Sequence, residues 1–229
     1  MAAERRKRVR RIVRPAWSFR LLRATGPIGT HWGWDRGTPV DRRYIEGFLD
    51  RHRSDIRGRV LEIKGPLYTN RFGADVTSSD VLDVNPANAF ATIHADLAAA
   101  DGVPSGAFDC AIVTQTLQLI LDVRAALAHL HRMLAPGGVL LATVPTTSRV
   151  VQPGPEGVDY WRFTPPACNA LFGAEFGEDN VLVEPHGNLP ASVAFLHGLA
   201  AEELPRETLD RYDPNFPLVV GIRAVKNAG

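Results

Sequence analysis

Short apolar runs alternate with amphipathic patterns along most of this chain. Apolar runs bounded by turn residues are typical of buried strands, whereas apolar residues spaced three and four apart are typical of helices. The runs that predict strands are residues 60–63, 75–79, 91–94, 109–114, 139–144, 181–185 and 218–224. Their alternation with helical patterns predicts an α/β fold, a Rossmann-like three-layer sandwich around a mostly parallel seven-stranded sheet.

Three helices are predicted from their spacing and end signals. The first covers residues 38–58, with Pro39 in the first turn, where a missing N–H costs nothing. The second covers residues 121–134 and is stopped by the Pro-Gly-Gly turn at 136–138. The last covers residues 191–203 and precedes the final strand.

Length and composition favour one soluble domain. The chain has 229 residues and 45% hydrophobic content, enough for one sizeable core. It shows no apolar run of the roughly 18 residues that span a bilayer, and no signal-peptide core, so we expect a cytoplasmic protein without a membrane span. The two cysteines, Cys110 and Cys168, have neither metal-ligand nor disulfide spacing and are predicted to be buried thiols.

The N-terminal segment differs from the rest in charge. The first 20 residues hold eight of the 26 Lys and Arg side chains and a single acid. Such a run can contact nucleic acid or an anionic membrane, but a solvated tail is the preferred interpretation. We therefore divide the chain into a basic tail with a candidate lid, residues 1–37, and a main domain, residues 38–229.

The candidate lid is the segment "GTHWGWDRGTPVDRRYIE", which is dense in Trp, His and Arg. We expect it to cross the strand ends with Arg36, Asp41 and Tyr44 pointing inward. In the alternative, Trp32 and Trp34 pack under the first helix and the charges cap that helix.

Three stretches carry a family resemblance. "FDCAIVTQTLQLI", which contains Asp109 at the start of the fourth predicted strand, and "LHRMLAPGGVLLATVP" together resemble the second half of class I methyltransferases that use S-adenosylmethionine. "YWRFTP" at 160–165 recurs in the type 11 group, which includes enzymes linked to glycosyltransferases and polysaccharide loci. The resemblance covers about residues 58–226, and it implies S-adenosylmethionine as the cofactor.

The first half departs from the family pattern. The family has an acid and then a glycine-rich turn after the first strand, because glycine admits the cofactor against the backbone. Here Glu62 takes the acidic position, Gly65 follows closely, and Pro66 reshapes the turn. We expect a working turn in which Glu62 binds backbone donors and Tyr68 supplies a hydroxyl; the alternative is a relic that no longer binds cofactor.

The resemblance also implies the remaining cofactor contacts. Asp80 is assigned to the ribose hydroxyls, as the acid at the end of the second strand, with Asp83 as the close alternative. Asp96 is assigned to the adenine amine or, equally, to a helix N-cap. Gln115 lies on the ledge after the fourth strand, where the methionine end of the cofactor meets the acceptor.

The acceptor side follows the fifth and sixth strands. Asp159 and Arg162 occupy positions at which family members contact the acceptor. A hydroxyl acceptor benefits from a general base, for which His186 is the first choice and Asp159 and His31 are alternatives; His186 also fits a purely structural role. No spacing of His, Asp and Glu predicts a catalytic metal.

The predicted function is methyl transfer from S-adenosylmethionine to a small-molecule acceptor. The resemblance favours an oxygen of a sugar, glycoconjugate or secondary metabolite, and a homodimer is compatible with it. The alternative is a non-catalytic partner or scaffold domain that has lost cofactor binding. No nucleic-acid partner is expected, because "TQTLQ" stands where base methyltransferases carry an Asn/Asp-Pro-Pro-aromatic motif.

Overall fold

The computed structural model describes residues 25–154 and 157–228. The interpretation of the first 20 residues as a solvated basic tail falls on residues that lie outside this description. The candidate lid, residues 29–46, falls entirely within it.

Seven strands form one sheet in the order β3-β2-β1-β4-β5-β7-β6. Their bounds are β1 Gly58–Ile63, β2 Val76–Asp83, β3 Ile93–His94, β4 Phe108–Thr114, β5 Leu134–Pro145, β6 Val181–His186 and β7 Val219–Val225. All neighbours pair in parallel except β7, which is antiparallel to both β5 and β6. The predicted α/β fold with a mostly parallel seven-stranded sheet is confirmed.

Helices cover both faces of the sheet. They are α1 Val40–Arg51, α2 Leu67–Phe72, α3 Val123–Met133, α4 Pro165–Phe176, α5 Leu189–Leu196 and α6 Arg206–Asp210. The predicted last helix ends at Leu196 instead of residue 203, because Gly198 adopts a φ of 70°, which stops the helix. The first helix likewise ends at Arg51, before residue 58.

Each face of the sheet has its own apolar core. One core packs α3 and α4 on the sheet through residues such as Leu130 and Phe172. The other packs α1, α2 and α5 on the opposite face through residues such as Phe48 and Phe195. Cys110 lies in the second core and Cys168 lies in the first; both are buried free thiols, as predicted.

The second strand continues beyond its predicted end at residue 79 and includes Asp80 in its middle. Residues 77–79 resemble a loop because they are exposed, and β3 pairs only with the last two residues of β2. The Asp80 carboxylate accepts hydrogen bonds from Arg59 Nε and Thr92 Oγ1, both at 2.9 Å. The position assigned to Asp80 was therefore wrong, and Asp83 is the acid at the carboxyl end of β2.

Residues 29–39, here called the N-terminal strap, pack along residues 197–203. The backbone N–H of Gly29 donates to the His197 carbonyl at 2.8 Å. Gly33 has a φ of 98°, and a Cβ there would lie 2.6 Å from the Leu199 carbonyl oxygen, so this close approach requires glycine.

Two side chains of this region do not point toward the strand ends as expected. Arg36 forms an ion pair with Glu203, and the Tyr44 hydroxyl donates to the Leu209 carbonyl at 2.9 Å. Trp34 is exposed rather than packed beneath α1. Asp41, the third residue expected to point inward, does line the cavity described below.

Candidate active site

A cavity of about 890 Å³ opens at the carboxyl ends of β1, β4 and β5. These strand ends meet where the sheet order reverses between β1 and β4, which is where open α/β sheets bind ligands. Further parts of the wall come from the N-terminal strap, the starts of α1 and α2, and the segment between β5 and α4. The volume lies in the range of small-molecule sites.

The turn after β1 replaces glycine with a residue in a glycine-like conformation. Lys64 has a φ of 69°, in the left-handed region that costs an L-residue about 1–2 kcal/mol. Its backbone N–H donates to the Leu82 carbonyl at 3.0 Å. Gly65 and Pro66 follow, and α2 begins at once at Leu67.

Glu62 fixes this turn by hydrogen bonds to the residues that follow it. Its carboxylate, only 3% exposed, accepts hydrogen bonds from Tyr68 N at 2.9 Å and from Thr69 N and Oγ1 at 2.8 and 2.7 Å. Burial raises the pKa of Glu62, and these three donors oppose that rise. The predicted bonding of Glu62 to backbone donors is confirmed, and it fixes the first turn of α2.

Gly65 and Tyr68 face the cavity in different ways. A Cβ built on Gly65 would meet no atom of the described chain within 4 Å, so this backbone borders open cavity space. The Tyr68 ring stacks on Phe72, and its hydroxyl accepts a hydrogen bond from Arg42. Leu67 is 58% exposed. Tyr68 is thus held within the wall by its partners.

The carboxyl end of β2 lies beside this turn, because Ile63 of β1 pairs with Leu82 of β2. Asp83 is 8% exposed, and its two oxygens accept from Asn85 N at 3.0 Å and from Asn88 Nδ2 at 2.6 Å. A carboxylate offers about four lone-pair positions, so Asp83 retains acceptor capacity for two hydroxyl groups.

The ledge after β4 carries two glutamines. Gln115 has a φ of 48°, and its Nε2 is buried without a partner among the described residues. Gln118 Nε2 donates to the backbone carbonyl of Gln115 at 2.8 Å, while the backbone carbonyl of Gln118 accepts from Tyr160 N at 2.8 Å. Both glutamines line the cavity. Gln118 is 8% exposed and joins the ledge to the segment before α4.

Asp159 and Arg162 line the cavity as an ion pair. Arg162 donates to both Asp159 oxygens at 2.5 and 2.7 Å and to the Arg149 carbonyl at 2.6 Å. Hydrogen bonds from Arg162, with one from Val151 N, hold the pKa of Asp159 below its usual range. Asp159 is therefore a weak candidate for a general base, and the pair shapes the loop on the acceptor side.

The strap side of the cavity carries aromatic rings and charges. The Arg42 guanidinium lies 5.8 Å from the Trp34 ring centroid, and the Arg149 guanidinium lies 3.3 Å from that of Trp32. The second contact joins the strap to the segment between β5 and α4. Asp41 accepts from Arg42 N at 2.8 Å, and burial raises the pKa of its carboxyl.

Three predicted site residues, Asp80, Asp96 and His186, lie outside the cavity lining, and so does Asp83. The Asp96 carboxylate caps the 3₁₀ turn Leu97–Ala99 by accepting from Ala98 N at 2.9 Å, which confirms the capping interpretation. The His186 ring stacks on Tyr44, and its Nε2 lies 3.1 Å from an Arg51 nitrogen. Burial and Arg51 lower the pKa of His186 to about 4. The structural interpretation of His186 fits this position, whereas a role as base does not.

The residues present fit an adenosyl cofactor. Gly65 leaves space against the backbone, Asp83 has acceptor capacity for a ribose, and the two glutamines offer polar atoms between the cofactor and acceptor ends. In residues 25–154 and 157–228, no set of three His, Cys, Asp or Glu side chains is arranged to hold a metal ion. None of the helices in the same residues has the length and apolarity to cross a bilayer.

Comparisons with known proteins agree with this fit. The sequence model of a family described as a methyltransferase domain matches residues 50–175, more than half of the chain. No curated protein matches significantly.

Solved structures share the fold at low identity. An S-adenosylmethionine-dependent methyltransferase from Archaeoglobus fulgidus is 14% identical, covers 81% of this chain and 94% of its own, and gives a TM-score of 0.53. The 1,6-didemethyltoxoflavin-N1-methyltransferase of Burkholderia thailandensis is 15% identical, with 85% and 80% covered and a TM-score of 0.52. The 4+2 cyclase SpnF is 19% identical, with 92% and 93% covered and a TM-score of 0.54. The fold therefore hosts more than one chemistry, and the family match decides that this chain belongs to the class I S-adenosylmethionine-dependent methyltransferases.

Proposed function

We propose that this protein transfers a methyl group from S-adenosylmethionine to an oxygen of an uncharged small molecule, such as a sugar, a glycoconjugate or another secondary metabolite. The observation that carries the proposal is one continuous cavity that joins the turn after β1 to the Asp159–Arg162 segment. Cofactor and acceptor would thereby share one space. An in-line displacement requires that arrangement.

The cofactor end is assigned to four residues. Asp83 takes the ribose hydroxyls, Gly65 admits the ligand to the backbone, and Glu62 holds the turn through Tyr68. When bound, S-adenosylmethionine supplies an electrophilic methyl group on a sulfonium sulfur. The role of the chain is to orient the two reactants and to exclude water.

The charges of the acceptor end favour an uncharged acceptor. Asp159 and Arg162 neutralise each other, and Arg42 lies beside Asp41. An anionic or cationic acceptor would leave one of these groups without its counter-charge in a partly buried site, which costs free energy. The exposed ring of Trp34 adds apolar surface for one face of the acceptor.

Asp41 is the residue we assign to the acceptor hydroxyl proton. Glu62 and Asp159 are also carboxylates in the lining, but their oxygens accept three hydrogen bonds each from strong donors. Asp41 accepts a hydrogen bond from the Arg42 backbone N–H, which leaves acceptor capacity on its oxygens. Burial raises its pKa toward the range in which a carboxylate is an effective base.

The test is a methyl-transfer assay with labelled S-adenosylmethionine against a panel of monosaccharides, nucleoside-diphosphate sugars and phenols. We expect labelled methyl ether product with a neutral acceptor. Product on nitrogen or carbon atoms only would contradict the oxygen assignment.

Matched variants separate Asp41 from general charge effects. Asp41→Asn should lower kcat with the best acceptor about 100-fold or more, as expected for loss of a general base, and should leave affinity for S-adenosylhomocysteine unchanged. Asp35→Asn removes the same charge from an exposed position of the strap and serves as the control. Equal rates for the two variants would refute the assignment of Asp41.

A further inference from the structure

We propose that Asn88 is a positioning residue for the cofactor. Its side-chain amide holds the turn after β1 in the conformation that glycines would otherwise allow there. The inference rests on the proposed function, because it concerns how the same site holds S-adenosylmethionine. Asn88 lies in the loop between β2 and β3, a stretch that carries no strand or helix.

The Asn88 amide bridges the two halves of the cofactor site. Its Nδ2 donates to the Lys64 carbonyl at 2.7 Å and to Asp83 Oδ2 at 2.6 Å. An amide NH₂ group has two hydrogens, so both are used. The amide oxygen accepts from Phe90 N at 3.0 Å, which fixes which end of the amide carries the nitrogen.

The first bond acts on the backbone of the turn. Lys64 occupies the left-handed region, which a residue with a Cβ adopts only when its surroundings enforce it. Its N–H is bound to Leu82 O and its carbonyl to Asn88, so both peptide groups that flank the Lys64 Cα are fixed. The next residue, Gly65, is thereby presented to the cavity without the flexible glycine-rich loop typical of the family.

The second bond acts on Asp83. Asn88 and the backbone N–H of Asn85 each bind one carboxylate oxygen, so the carboxylate plane cannot rotate freely. A carboxylate that accepts two ribose hydroxyls must present both oxygens in a fixed plane. Orientation before binding lowers the entropic cost of binding.

The third bond places an aromatic ring at the cavity. Phe90 is 67% exposed yet contributes to the cavity lining, and its backbone N–H is held by the Asn88 oxygen. One side chain thus connects the turn after β1, the acid at the end of β2 and the ring at the cavity mouth.

The test uses isothermal titration of the full chain with S-adenosylhomocysteine, a stable product. Asn88→Ala removes all three bonds, and we expect its Kd to be about 10- to 100-fold above that of the unmodified protein, as for lost hydrogen bonds to a charged group. Asn88→Asp keeps the shape but places a second carboxylate against Asp83, and it should bind no better than Asn88→Ala. Val84→Ala is the control in the same loop, because the Val84 side chain is 70% exposed and lies outside the cavity lining. It should bind like the unmodified protein.

A double variant separates positioning from general loop order. If Asn88 acts through the turn and Asp83, the double variant Asp83→Ala, Asn88→Ala should show a fold-increase in Kd much smaller than the product of the two single fold-increases. Two independent structural effects would instead multiply. Unchanged affinity of Asn88→Ala, equal losses in Asn88→Ala and Val84→Ala, or fully multiplicative losses would each overturn the inference while leaving the proposed function intact. No binding by the unmodified protein at millimolar ligand would overturn both.

Discussion

Gly65→Val tests whether the turn after β1 contacts the cofactor, and the structure sets its two magnitudes. A Cβ at Gly65 meets no atom of the described chain within 4 Å, and its φ is not in the left-handed region, so the folded protein accommodates the side chain. We expect the free energy of unfolding to change by less than about 1 kcal/mol, partly because glycine replacement restricts the unfolded chain. The melting temperature should therefore move by no more than about 4 °C.

The effect on ligand binding should be much larger. The isopropyl group would occupy cavity space where the backbone must approach the ligand, and overpacking of this kind costs about 1–3 kcal/mol or more. The Kd for S-adenosylhomocysteine should therefore rise about 5- to 150-fold, as measured by isothermal titration. Gly102→Val is the matched control, because a Cβ there also meets nothing within 4 Å and Gly102 is outside the lining. Wild-type affinity in Gly65→Val, or its unfolding, would refute the reasoning.

Three further predictions concern residues on both sides of the cavity. Asn188→Ala should lower the free energy of unfolding by about 3 kcal/mol in urea titrations. The variant loses the N-cap of α5 and leaves the backbone carbonyls of Thr208 and Arg211 without their side-chain donor. A loss below about 1 kcal/mol would contradict this prediction. His186→Gln should reduce the loss of stability between pH 6.5 and 4, because the pKa of His186 is about 4 in the folded protein and about 6.5 in the unfolded chain. Over that window the free energy of unfolding of the unmodified protein should fall by about 3 kcal/mol more than that of the variant. Parallel curves of stability against pH would rule the effect out. Arg162→Ala should lower turnover and leave the Kd for S-adenosylhomocysteine unchanged, because Arg162 binds the acceptor-side loop. Equal losses in turnover and affinity would instead assign Arg162 to cofactor binding.

The pH prediction for His186 depends on the groups packed around it. Arg51 and His52 oppose protonation of the ring, Glu184 favours it, and the Tyr44 ring covers one face. Burial is the largest contribution, so the neutral imidazole is the stable form in the folded protein. The contribution of neutral His186 to the free energy of unfolding is therefore present above pH 6.5 and is lost as the pH approaches 4.

The fold could be predicted because its signals are local. Buried strands such as β4 and β5 are apolar over most of their length, and helix α3 has both an apolar stripe and a stop signal. The first strand and its acid also follow this logic, since Glu62 is buried directly before a turn and must find donors nearby. The sequence therefore places Glu62 and Gly65 in the cavity wall.

The site residues that were misplaced depend on information that the local sequence lacks. Asp80 and Asp83 are three residues apart in one strand, and only the extent of pairing with β1 shows which lies at the end. His186 does end a strand at the correct edge, but α1 packs over it through Tyr44 and Arg51. That contact joins residues far apart in the chain.

Asn88 and Gln118 were missed for a different reason. Both lie in short irregular segments without periodicity, and their roles depend on carbonyl groups of distant residues, Lys64 for one and Gln115 for the other. The cluster of Asn and Pro at 85–88 predicts a turn but not its partner. The left-handed conformation of Lys64 had no sequence signal, because lysine rarely adopts it.

A crystal structure of the full chain with S-adenosylhomocysteine would test the central claim most directly. We predict the ligand in the cavity between β1 and β4, with both ribose hydroxyls within hydrogen-bonding distance of the Asp83 carboxylate and the homocysteine moiety against the Gly65 backbone. The Lys64 carbonyl should remain bonded to Asn88. Crystals grown with millimolar ligand that show an empty cavity, or the ligand bound away from Asp83, would contradict the account and favour a scaffold protein that has lost its cofactor.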